Sequence, residues 1–230
     1  MHARSERPAS VDKPLPLPKK APLKAAPSST KEKETSDKVP RDTREQILRV
    51  SGHLLQTRGF SGFSYANVAE VLGVKPAAIH YHFPQKHDLG LALIERYRAR
   101  YRRWMEEAAD QGLTPTATLE GYIRISSRFG EDGRVCPVGI LTAELAGLPD
   151  ELHAPVEDMV EELLSWLGGI VREGRKTKEF VYPGTPEDAA SLIAAALQGA
   201  LQLSRGTRRP CFDAVVRGVR LSLGLPAVAE

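Results

Sequence analysis

The stretch Gly73–Lys86, GVKPAAIHYHFPQK, sets four rings in a row, His80, Tyr81, His82 and Phe83, between two lysines and directly ahead of Pro84. Pro76 suits the first turn of a helix, where its missing N–H has no partner to lose and its fixed φ is already helical. Ile79 and Phe83 then lie four apart on one face, as core residues of a small helical unit, and Pro84 stops the helix. Upstream, Ser64 can cap another short helix that turns Val68, Ala69 and Leu72 inward and ends at Gly73. Two short helices joined by a tight turn make a helix-turn-helix, whose second helix enters the major groove of DNA with its first residues facing base edges. The rings at its far end then face the sugar-phosphate backbone. His80, Tyr81 and His82 can donate hydrogen bonds to phosphates, and Lys86 adds a charge at the start of the next helix.

Helical punctuation continues on both sides. TREQ (Thr43 to Gln46) has capping-box spacing, and Ile47, Val50, Leu54 and Leu55 form one apolar stripe that Gly59 ends. After Pro84, Leu89, Leu93, Tyr97, Tyr101 and Trp104 define a long helix. Further helices are expected over about 115–129, 137–146, 149–175, 186–205 and 210–223, with TPED (Thr185 to Asp188) supplying a cap, a first-turn proline and first-turn acid. No segment reads as a strand, and no repeat recurs at a fixed period. The fold class is all-α.

The stretch from Thr43 to Leu93, carrying TREQIL, LLQTRGFSGFSYANVAEVLGV and KPAAIHYHFPQKHDL, resembles the DNA-binding domain of the TetR family of bacterial transcriptional regulators. Gly73, Val74, Ile79, His82, Phe83, Lys86 and Leu89 fall on the family's recognition-helix pattern, and the resemblance covers about a fifth of the chain. It implies phosphate contacts from Ser64, His82 and Lys86, with Lys75 an added candidate. Lys75, Pro76, Ala77 and Ala78 replace the family's usual hydroxyl, basic and glycine run, His80 stands where tyrosine is usual, and Ala66 where arginine is common. Those departures alter the base-reading surface, at which Ala77 and Ala78 can meet a thymine methyl.

The organisation follows: residues 1–40 as a disordered basic tail, 41–88 as the helix-turn-helix domain, and 89–226 as a helical domain for effector binding and dimerisation. The tail is proline-rich, carries nine basic against five acidic residues, and has no aromatic and few aliphatic residues, too little to bury to offset its ordering entropy. It is either a solvated leader or an extra source of phosphate contact. The whole chain, 230 residues with a net charge of +3, does not by itself point to nucleic acid.

By the resemblance, the larger domain pairs with a twofold mate through its last two helices, AASLIAAALQGALQLS and FDAVVRGVRLSLGL, and takes up a small effector. The partners expected are thus a palindromic double-stranded operator, an effector of unknown identity and a second copy of the chain. Candidate effector-lining residues are Tyr97, Tyr101, Trp104, Tyr122, Arg128, Cys136 and Trp166, with His153 also available; Tyr97, Tyr101 and Trp104 read equally as core. Arg96, Arg98, Arg100, Arg102 and Arg103 read as a solvated face.

GRVCPVGILTAELAGLPDELHAPV (Gly133 to Val156) resembles a segment of one TetR branch, some members of which sense electrophiles or oxidants through a cysteine. Cys136 sits at the matching place, and Arg134 beside it is expected to lower its pKa. The alternative is a small buried apolar residue. Two cysteines make no disulfide framework and no zinc spacing. His80 and His82 sit two apart on a helix and diverge, so metal is not expected, nor is any cofactor. The absence of a phosphate-cradling glycine loop, H-E-x-x-H and a nucleophile elbow argues against an enzyme. With no h-region and no apolar run near the roughly 20 residues a bilayer needs, a cytoplasmic location is expected. The reading is a repressor released from its operator by a small molecule, with electrophile sensing through Cys136 or effector-independent DNA binding as alternatives.

Overall fold

Helix-breaking residues and caps set the boundaries of several elements. The computed structural model describes residues 41–131, 133–207 and 211–227, so the expected basic tail and the first residue of the last expected helix lie outside the described residues. The described elements are all helical: α1 (Arg41–Arg58), α2 (Tyr65–Leu72), α3 (Pro76–His82), α4 (Lys86–Asp110), α5 (Pro115–Glu131), α6 (Pro137–Ala143), α7 (His153–Lys176), α8 (Pro186–Gly206) and α9 (Phe212–Ser222), with short 3₁₀ turns at Leu145–Gly147 and Asp150–Leu152.

α1 is already helical at Arg41, so Thr43 sits inside its first turn and the capping box expected at TREQ does not form. α2 does begin as expected. The Ser64 side chain accepts from the Asn67 amide, and the Asn67 side chain answers at the Ser64 amide. Gly73 ends it at φ 69°, the left-handed region that only glycine enters without a Cβ penalty, and this makes the tight turn into α3. α6 and α7 meet differently from expectation. Leu148 precedes Pro149 and is held extended (φ −78°, ψ 153°), since an α conformation there would clash with the proline ring, so α6 stops at Ala143 and α7 waits until His153.

α1, α2 and α3 close on a core of Ile47, Leu55, Val68, Ile79 and Phe83. α4 runs without a break through the boundary expected after residue 88, its Leu89, Leu93 and Ile94 fully buried beneath α1. In the larger half α7 lies along α8, α8 against α9, and α5 across both α7 and α8.

Polar bonds fasten the three-helix unit to the rest. The Gln56 side-chain amide donates to the Val135 carbonyl at 3.0 Å, while the Val135 amide donates to the Gln56 carbonyl at 3.1 Å. The Tyr97 hydroxyl donates to the Gly52 carbonyl, and the Ser61 amide to the Glu144 carboxylate. The buried Gln56–Val135 pair ties α1 to the loop between α5 and α6.

Candidate nucleic-acid interface and ligand cleft

α3 divides its residues by face. Ile79 is wholly buried, whereas Lys75, Pro76, Ala77, His80 and Tyr81 are exposed and Ala78 and His82 half-buried. Tyr81 is 79% exposed, which decides against a core role, and its ring meets His82 edge-on at 5.2 Å. Lys75 is the N-cap of α3, and its side chain is exposed. Ser64 is exposed, with its hydroxyl engaged at the start of α2.

His80 is exposed but not loose. Its ring packs edge-on against Tyr65 at 4.6 Å, and its Nδ1 lies 3.4 Å from the Pro84 carbonyl. Tyr65, unremarked in the sequence, holds this corner together: its hydroxyl donates to the carbonyls of Phe83 (2.8 Å) and Gln85 (2.6 Å). Burial, and secondarily Asp88, push its pKa up to about 12, so it stays a donor. The only sequence signal was a tyrosine directly after the cap of α2.

Lys86 is placed differently from expectation. Its ammonium donates to the Phe60 carbonyl at 2.6 Å and lies 4.6 Å and 4.9 Å from the ring centres of Phe60 and Phe63. Burial pushes its pKa below the usual lysine value, partly offset by Glu144. In this arrangement it braces the α1–α2 turn rather than facing a phosphate.

The second region is a cleft of about 350 Å³ between α4 and α5. Its floor is Tyr97, Tyr101, Trp104 and Phe129. Its mouth carries Arg100, Arg103, Arg124 and Arg128, all exposed, with Glu107 the one acid in the lining. Gly121 makes room for the floor: a Cβ there would fall 2.7 Å from the Trp104 ring. Of the expected lining, Tyr97, Tyr101, Trp104 and Arg128 are brought together. Tyr122 is instead core, with its ring edge-on to Trp166, and Trp166 lies behind Trp104, 5.0 Å away, facing clefts on the α7 side. His153 turns its Nε2 to the Leu148 carbonyl at 3.1 Å.

The arginine run of α4 is not one solvated face. Arg96 pairs with Glu45, Arg98 with Glu162 and Asp158, and Arg102 with Glu95 and Glu162. Arg100 and Arg103 turn to the cleft instead.

Cys136 is the N-cap of α6, 5% exposed, and lies beside Tyr101. Its pKa is raised, contrary to the lowering expected from Arg134. Burial disfavours the thiolate more than the Gly139 and Val138 amides and Tyr101 favour it, while the Arg134 guanidinium lies over the Phe129 ring. Among the described residues no group of three His, Cys, Asp or Glu side chains could hold a metal ion, and no helix is long and apolar enough to cross a membrane.

Residues 47–93, which contain this helix-turn-helix, match the family model described as bacterial regulatory proteins, tetR family. That segment is a TetR-family DNA-binding domain, and the relatives and solved structures the chain resembles are TetR-family transcriptional regulators. It is 26% identical over 174 residues to the transcriptional regulator AcuR of Cereibacter sphaeroides, covering 72% of this chain and 78% of that one. It is 24% identical over 163 residues to the HTH-type transcriptional repressor NemR of Escherichia coli, covering 69% and 82%. A solved TetR-family regulator from Agrobacterium tumefaciens superposes with a TM-score of 0.73 at 27% identity, over 78% of this chain and 96% of that one. The chain is therefore a helix-turn-helix DNA-binding regulator, and its described elements are all helical, as the sequence indicated.

Proposed function

We propose that this TetR-family protein is a dimeric repressor that holds a palindromic operator through α3 and leaves it when a small molecule enters the cleft between α4 and α5. The observation that carries the reading is the contact between cleft and reading head. Tyr101 lines the cleft beside Cys136, and the neighbouring Val135 exchanges two hydrogen bonds with Gln56 of α1. A ligand that shifts Tyr101 or Phe129 works directly on the loop to which α1 is bonded. Release requires only that it bind the two arrangements with different affinity.

Dimerisation is supported by surface left uncovered in one copy. Leu192, Ala195, Ala196, Gly199 and Leu203 fall on one face of α8, with Leu192 53% and Leu203 59% exposed, and open space lies over Gly199. Ala214, Gly218 and Leu221 repeat the pattern on α9. Small residues flanked by leucines allow close approach of a second helix pair, the isologous contact that a twofold dimer needs. Two reading heads then sit about one helical turn of DNA apart, roughly 34 Å. Sedimentation of the wild type and of Leu203→Glu tests this: a dimer converted to monomer, with loss of operator affinity, is expected, and a wild-type monomer that still binds a palindrome contradicts it.

Repression rather than activation is taken from the named relative, and the buried, pKa-raised Cys136 favours a non-covalent effector over a reactive thiol.

A further inference from the structure

We infer that the α4–α5 cleft takes a small organic anion, a carboxylate or phosphate carried on a flat apolar body. The inference rests on the reading of this cleft as the effector site, and the charge of its walls carries it. Four guanidinium groups, Arg100 and Arg103 from α4 with Arg124 and Arg128 from α5, surround one opening, against the single carboxylate of Glu107. None of the four has an ion-pair partner among the described residues, although Arg96, Arg98 and Arg102 on the other faces of the same helix all do. The surface has therefore paired its arginines everywhere on α4 except at the cleft.

Guanidinium groups keep their charge at any pH a cell reaches, so the four cannot relieve their mutual repulsion by losing protons. A bound anion relieves it, and the planar fork of arginine accepts a carboxylate or a phosphate through paired hydrogen bonds. Beneath them, the aromatic side chains of Trp104 and Phe129 line the cleft, and Gly121 keeps the Trp104 indole close against α5. The volume, about 350 Å³, is at the small end of the roughly 300–1,000 Å³ typical of small-molecule pockets, which limits the body to about one or two rings. A cation would meet net repulsion, and a neutral molecule would leave the arginine forks unused.

The test is calorimetric titration of the full-length protein with 1-naphthoate, 1-naphthyl phosphate and the neutral 1-naphthamide, at low salt and at about 0.15 M. Expected are at least about tenfold tighter binding of one or both anions than of the amide, weakening with salt, and a loss of about tenfold or more for the anions alone in Arg124→Gln/Arg128→Gln. Preference between the two anions identifies the headgroup. Equal affinity for acid and amide, no binding of either anion, or full anion affinity in the double variant overturns the inference. Because those arginines are exposed, the variant is expected to keep its unfolding midpoint, and an Arg100→Gln/Arg103→Gln variant repeats the reading from the other wall. DNA release is measured separately: an anion that binds without releasing DNA leaves the anion site standing and overturns the effector reading instead.

Discussion

Replacing Lys86 by methionine keeps the aliphatic stem and removes only the ammonium, which the structure ties to the Phe60 carbonyl at 2.6 Å between two phenylalanine rings. A hydrogen bond from a charged donor contributes about 1.5–3 kcal/mol. The ring contacts add about 0.5–1 kcal/mol, and because the contributions overlap, the loss should be about 2–3 kcal/mol. Against a typical domain stability of about 5–15 kcal/mol, that is a large shift in the urea midpoint at unchanged slope. The decisive comparison is with DNA. A lysine that neutralises a phosphate contributes about 0.9 to the slope of log affinity against log salt. The structure predicts a lower midpoint for Lys86→Met with an unaltered salt slope once the protein is folded. A stable variant whose salt slope falls by about 0.9 per protomer would refute the inward placement and restore the phosphate contact that the sequence implied.

Three further outcomes follow from the packing. Gln56→Leu leaves the buried Val135 carbonyl without its side-chain donor, so a cost of about 1–3 kcal/mol is expected in urea unfolding, together with a weaker effect of any effector on DNA affinity. Gly121→Ala sets a Cβ 2.7 Å from the Trp104 ring, which should cost about 1–3 kcal/mol and shift tryptophan emission; unchanged emission would mean that the indole does not lie there. Cys136, buried and with its pKa raised, should react with a thiol reagent at neutral pH only as fast as its loop opens, and a rapid single-site reaction at Cys136 would revive electrophile sensing.

The helix-turn-helix was legible because its signals are local. The Ser64 cap, Gly73 turn, Pro76 start and Pro84 stop each act within a few residues of where they stand, and each appears in the structure. The capping box at Thr43 was local too, but the helix already runs through Arg41 and Asp42, which leaves Thr43 inside it rather than at its cap. Side-chain direction was less legible. Lys86 matches its family position, yet the carbonyl and rings that hold it come from residues 60–63, a distance along the chain that no helical period encodes. The pKa of Cys136 was misjudged for the same reason: adjacency to Arg134 is visible in sequence, whereas enclosure beside Tyr101 is tertiary. The α4 arginines show the limit most plainly. Their run reads as one charged surface until the acids of α1 and α7 are in place, and only then do Arg100 and Arg103 stand apart.

The most direct test of the central claim is selection of bound sequences from a random duplex pool at about 0.15 M salt by the wild type and by Ala77→Glu. Ala77 is exposed in the first turn of α3, where glutamate suits the helix dipole and should not weaken the fold, but its charge would face the DNA. The account predicts a palindrome with half-sites about one turn apart for the wild type, and no enrichment for Ala77→Glu at an unchanged unfolding midpoint. Equal enrichment by both proteins, or none by the wild type, would contradict the assignment of α3 as the helix that reads the operator.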